Sequence, residues 1–179
     1  TGAGMSTASG IPDYRSPKGS YSRGHTPIQH ADFVRKHEAR QRYWTRSFLG
    51  WQYFSLAEPN ASHLTLAEME RRGRLQAIVT QNVDGLHSAA GSAHVLDLHG
   101  RIDSVECLDC GDATHRAEMQ ERLYEANAEW ADGLDALAQM PGELRADGDM
   151  ELEAKDDFVV PSCTRCGGRG RRSSTSRAT

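Results

Sequence analysis

No segment of this sequence is long and apolar enough to span a bilayer, and no secretory signal heads it. It has no cationic excess either. Lys and Arg number 21 against 25 Asp and Glu, giving a formal net charge of -4 and a pI near 6.0, which argues against a dedicated nucleic-acid binder. Apolar residues are sparse at 37%, and mean hydropathy is -0.65, so any core is thin. Cysteine is scarcer still. The four that exist fall in two pairs, Cys107/Cys110 and Cys163/Cys166, with none left over. These absences leave a chain of 179 residues sized for one domain with a small satellite. The expected location is the cytoplasm, or mitochondria if a transit peptide preceded this sequence, with no membrane and no nucleic-acid partner.

Residues 1–30 are rich in Gly, Ser and Pro and read as loop. From Ala31 to Trp51 the pattern turns helical, with Phe33, His37, Trp44, Phe48 and Trp51 recurring at three- to four-residue steps. A second helix fits Ala61–Arg72, capped by Asn60 and stopped by Gly73. Leu75–Thr80 has the short apolar run of a buried parallel strand. A helical turn over Val83–Ala90 and a strand in "HVLDLHG" follow. Helix and strand in alternation predict an α/β fold: a partial Rossmann-like doubly wound parallel sheet. Ligands of such sheets bind beyond the C-terminal ends of the strands. That rule gathers Gln81, Asn82, Asp84 and His99 into one candidate site.

After Arg101 the character changes. "RIDSVECLDCGD" reads as a strand ending in a knuckle, Arg116–Trp130 as a polar helix, Pro141–Asp157 as an exposed acidic loop, and "DFVVPSC" as a strand. The end, "RGRRSSTSRAT", has no large apolar residue and reads as unstructured. Two Cys-x-x-Cys knuckles, each followed by Gly, have the spacing to close a tetrahedral thiolate site for one structural zinc. Metal is favoured over redox-active thiols because the spacings match and no cysteine is spare. The expected division is a dinucleotide-binding part over 1–100, with a helical insertion at about 24–60. A small zinc-ribbon module spans 101–168, with 111–162 looped between its knuckles, and a tail covers 169–179.

In this order, "GAGMSTASGIPDYR", "TQNVDGLH", "LHG" and the two cysteine pairs resemble the sirtuin family of NAD-dependent protein deacylases. "RQRYWTRSFLGWQYFSLAEPNASH" and "ADGDMEL" are similar to its class II branch. The resemblance implies that Gly2, Ala3 and Gly4 approach the NAD pyrophosphate, with Ser6 nearby. It puts Ile11, Pro12 and Asp13 near the nicotinamide end. Tyr14 would stand as an aromatic lid and Arg15 would contact cofactor. Gln81 and Asn82 would orient the ribose, Asp84 would bind the carboxamide, and His99 would serve as general base. Imidazole is the side-chain base suited to neutral pH. The implied reaction transfers the acyl group of an acyl-lysine protein to ADP-ribose with release of nicotinamide, zinc taking no part. Two rival functions stay open on sequence: protein mono-ADP-ribosyl transfer from the same site, and a non-enzymatic zinc module. The family also has a strand before the glycine turn and strands after the second knuckle. Their absence predicts a chain truncated at both ends, poorly folded and weakly active or inactive.

Overall fold

The computed structural model describes residues 1–17, 19, 21, 28–129, 147–148 and 157–168, and the backbone of 170–172. The chain opens in a 3-10 helix, Ala3–Ser9, where loop was expected. Apart from Met5 its side chains are short, Thr7 Oγ1 donates to the Gly4 carbonyl, and the Asn60 side-chain amide bonds the Met5 carbonyl and Ser9 Oγ. These bonds hold a turn that local propensity alone does not specify.

The helical stretch is two helices, α1 (His30–Arg35) and α2 (His37–Phe54), broken where Lys36 adopts an extended conformation. The break is capped by Arg40, whose guanidinium donates to the carbonyls of Phe33 and Val34. Along α2 the aromatic stripe is the core, as its spacing predicts. Trp44 and Phe48 are fully buried, Phe33 of α1 is buried, and His37 is exposed. α3 (Ala61–Arg71) begins at Asn60, whose side chain accepts from Ser62 N–H in a capping box with His63.

β1 (Ile78–Thr80) and β2 (Val95–Asp97) pair in parallel, with Ile78 against Val95 and Thr80 against Asp97. The crossover between them carries α4 (Leu86–Ala89). The strands are shorter than their apolar runs because pairing exists only over these three positions. This is the Rossmann-like α/β element. Beyond it, β3 (Ser104–Cys107) is flanked by antiparallel β4 (Ala113–His115) and β5 (Gly170–Arg172). α5 (Arg116–Ala126) follows β4.

Three expectations change here. Residues 170–172, expected within an unstructured tail, form the third strand of the zinc-side sheet. "DFVVPSC" is not a strand over 158–163. Its backbone is taken by side-chain amides: Asn127 exchanges two bonds with Val159, and Gln41 donates to the Phe158 carbonyl. The expected exposed loop over Pro141–Asp157 is buried at Gly148, whose φ of +81° suits glycine. A side chain there would run into Ile102 and Phe54. The rest of that stretch (141–146, 149–156), Trp130 and the tail beyond 172 lie outside the described residues.

Two apolar clusters form. One joins α2 to α5 and β3 through Trp44, Phe48, Leu49, Val105, Met119, Leu123 and Phe158. The expected helical insertion thus packs on the zinc side. Buried Arg116 lies within this packing, its guanidinium 5.4 Å from the Trp44 ring centre and 4.9 Å from that of Trp51. The other cluster, Ile11, Phe54, Val83, Leu86 and Ile102, underlies the 3-10 helix and the β1–α4 loop.

Candidate functional site

The 3-10 helix, the loop after β1 and the loop after β2 line one cleft of about 930 Å³. Thr1 aligns the first of these beside the sheet, its carbonyl accepting from Gln81 N–H at 3.1 Å. Of the expected residues, Gly2, Ala3, Gly4, Ser6, Ile11, Asp13, Tyr14, Arg15, Gln81, Asn82, Asp84 and His99 all face this space. Pro12 does not line it. A Cβ built on Gly2 or Gly4 meets nothing within 4 Å. Larger side chains there would therefore occupy the cleft itself, so glycine keeps room for a ligand against the backbone.

The wall of the cleft is a buried polar chain. Asn82 Nδ2 donates to Ser6 Oγ at 3.0 Å, and Ser6 Oγ donates to Asp84 Oδ2 at 2.5 Å. Asp84 Oδ1 accepts from Leu86 N–H at 2.9 Å, fixing the start of α4. Ser6 is 1% exposed, so its hydroxyl is committed to orienting the two loops. At the other end stands exposed His99. Its Nδ1 lies 3.1 Å from the Gln81 carbonyl. A carbonyl only accepts, so Nδ1 carries the proton and Nε2 holds a lone pair.

Asp13 accepts from Ser16 N–H. The Ser16 side-chain hydroxyl, then its backbone N–H, hold the Asp13 carboxyl below the usual range. Tyr14 packs on Tyr21 with ring centres 5.1 Å apart, giving the cleft an aromatic rim. Sequence reasoning missed Tyr21, Tyr43 and Asp147, which also line the cleft. Tyr43 sits next to the core residue Trp44, and nothing in helical spacing marks it as a ligand residue. Asp147 comes from the segment between the knuckles, whose path no local pattern reveals.

Away from the cleft, the four cysteine sulfurs lie within 4.8 Å of one another. Cys107 and Cys166 are 3.6 Å apart, Cys110 and Cys163 3.8 Å. A tetrahedron with Zn–S bonds of about 2.3 Å has edges of about 3.8 Å, so the set fits one ion with no open coordination position. The knuckles repeat one geometry: Gly111 N–H bonds the Cys107 carbonyl and Gly167 N–H the Cys163 carbonyl, each at 2.9 Å. Backbone N–H groups of Cys166 and Arg165 bring the Cys163 thiol down to about 7, while Cys166, against the pull of the Gly168 N–H, is pushed up to about 12 by its neighbouring thiols, so the cluster ionises as one unit.

The sequence profile of the Sir2 family matches residues 2–173. The chain belongs to the Sir2 family. Among its relatives, the bovine mitochondrial NAD-dependent protein lipoamidase sirtuin-4 is 52% identical over 172 residues, covering 94% of this chain and 52% of the relative. NAD-dependent protein deacetylase 1 of Streptomyces coelicolor is 49% identical over 170 residues, covering 94% and 54%. A solved Sir2 complex with deacetylated p53 peptide and 3′-O-acetyl-ADP-ribose superposes with a TM-score of 0.62. It is 28% identical and covers 96% of this chain and 56% of that one. This Sir2-family chain therefore spans about half the length of the curated relatives it matches. Among the described residues no helix is long and apolar enough to cross a membrane.

Proposed function

We propose that the chain carries the NAD site and zinc module of an NAD-dependent protein-lysine deacylase. One observation carries the reading: the glycine turn and His99 line a single cleft. The turn suits a pyrophosphate, because the first N–H groups of a helix lack partners within it. Bound NAD would supply a ribose carbon activated by the departure of nicotinamide, to which the acyl oxygen of the lysine transfers. His99 would take the proton of a ribose hydroxyl at Nε2 as that oxygen bonds the acyl carbon. Asn82, held by Ser6, orients the ribose, and Gln81 fixes the His99 tautomer through its carbonyl. Fixed placement of these groups lowers the barrier by positioning. One water is consumed as the acyl carbon–nitrogen bond breaks and the lysine amine leaves, so the expected products are nicotinamide, deacylated lysine and 2′-O-acyl-ADP-ribose.

The substrates are acyl-lysine proteins. The Sir2 structure bound to a propionylated peptide, 27% identical with a TM-score of 0.62, supports that class, as does the deacetylated-peptide complex. Zinc is structural and lies outside the reaction. The thiol cluster suits a reducing compartment, and we assign the cytoplasm, or mitochondria in line with the bovine relative. The test is nicotinamide release from NAD by the zinc-loaded chain. Slow release that requires an acyl-lysine peptide, and is lost in His99→Ala, is expected. Labelling of protein by NAD without any acyl-peptide would instead favour ADP-ribosyl transfer.

A further inference from the structure

Two buried histidines lie behind the cleft and have no part in the proposed chemistry. His63 of α3 and His87 of α4 are 0% and 1% exposed. Their rings meet edge to face with centres 4.8 Å apart. Hydrogen-bond directions fix both tautomers. Asn60 N–H donates to His63 Nδ1 at 3.2 Å, so the His63 proton is on Nε2. The Thr1 hydroxyl donates to Thr80 Oγ1 at 2.9 Å, so toward His87 Nε2, 2.8 Å away, it can only accept. His87 therefore also carries its proton on Nε2. His63 Nε2, a donor, and His87 Nδ1, an acceptor, remain as buried atoms with no hydrogen-bond partner among the described residues.

Each ring supports one side of the glycine turn. Behind His63 stands Asn60, whose Nδ2 bonds the Met5 carbonyl and Ser9 Oγ, both at 2.9 Å. Behind His87 stand Thr1 and Thr80, and Thr80 Oγ1 accepts Asn82 N–H at 3.0 Å. Asn82 in turn bonds Ser6. We propose that the His63–His87 pair is a positioning element of the dinucleotide site: neutral, it holds the 3-10 helix and Asn82 in register, and uptake of one proton releases them. The proposal rests on the NAD reading above.

A proton on His63 Nδ1 would set a donor against Asn60 N–H. A proton on His87 Nδ1 would place a charge in the same buried space as the His63 ring. The ionisable groups facing the pair are each other and the Asp84 carboxylate. Burial pushes both imidazoles below 6.5. His63 opposes charge on His87, while Asp84 favours charge on both rings. The sign follows: the pair is neutral and the site intact at and above neutral pH. Its contribution is lost as pH falls from 6.5 through the lowered values.

Ring nitrogen spectra of the zinc-loaded chain test this without NAD. Both rings are expected as Nε2–H tautomers at pH 7.5. On acidification, the Ser6 and Asn82 amide signals are expected to move with the same midpoint as the two rings, below 6.5. An Nδ1–H tautomer at neutral pH, or turn amides indifferent to the ring titration, would overturn the proposal. NAD titration adds the variants. His87→Gln, whose amide can donate where Nε2–H did, is expected within about twofold of the parent, and His87→Leu weaker by about ten- to a hundredfold. Equal affinity in all three would also overturn it. Failure of the unmodified chain to bind NAD would sink the dinucleotide reading alone, because the ring and amide titrations decide the pair independently.

Discussion

Asp84 shows how much a single side chain carries in this protein. Its two oxygens serve different masters, one accepting from Ser6 in the glycine turn and the other from the N–H that opens α4. Asp84→Asn keeps only one acceptor, so one of those donors is stranded. Leaving such a group unpaired costs about 1–3 kcal/mol. The expected result by calorimetry is an NAD affinity weaker by about tenfold, with the fold retained; an affinity equal to the parent's would count against the polar chain. Asp84, Asn82, Gln81 and His99 were legible in sequence because they end predicted strands, where ligands of such sheets sit. His63 and His87 were not. A buried histidine between helices leaves no mark in spacing or composition; Asn60 lies only three residues from His63, but Met5 and Ser9 beyond it, and Thr1 beside His87, are distant in sequence.

At the scale of elements, the segment carrying His99 is fixed by Arg101. Its guanidinium makes two bonds to Asp103, at 2.9 and 2.6 Å, and one to Ser88 of α4 at 3.2 Å. It also lies 3.6 Å from Asp97 at the end of β2. One side chain thus ties β2, α4 and the approach to β3 together. Burial raises Asp97 above the usual carboxylate range, with Arg101 opposing that rise, and the Arg101 hydrogen bond lowers Asp103. Arg101→Met keeps the apolar stem and removes the shared cation. The group is about one-third exposed, so screening trims the cost to about 1–2 kcal/mol. A lower urea midpoint and faster amide exchange at 99–103 are the expected readings, and unchanged exchange there would contradict the clamp. Elements with local signals were readable: the Asn60 cap and the Gly73 stop of α3 need only neighbours in sequence. The break between α1 and α2 was not, since it depends on Arg40 folding back onto two carbonyls. Nor was the fate of Phe158–Val160, whose strand-like composition is satisfied by the amides of Asn127 and Gln41.

For the whole molecule, the two apolar clusters divide the labour. One supports the cleft, and the other fastens α2 to the zinc-side sheet. Because α2 shares a core with α5 and β3, metal loss should be felt beyond the knuckles. Structural zinc binding is folding free energy. Removing zinc with a strong chelator is expected to lower the thermal midpoint and to abolish the near-ultraviolet signal of buried Trp44. Retention of both after the metal is gone would show that the cysteine cluster is dispensable. Sequence gave the fold class, the cysteine tetrad and the family. The contact between the helical segment and the zinc module escaped it, because an apolar stripe says that a face is buried without saying against what.

The central claim is that the glycine turn and His99 grip opposite ends of one dinucleotide. Its most direct test is a titration of the zinc-loaded chain with NAD, followed at the Gly4 amide and the His99 ring together. The account predicts that both signals shift along one saturation curve with one NAD per chain. Shifts at one end alone, or two curves with different midpoints, would contradict it.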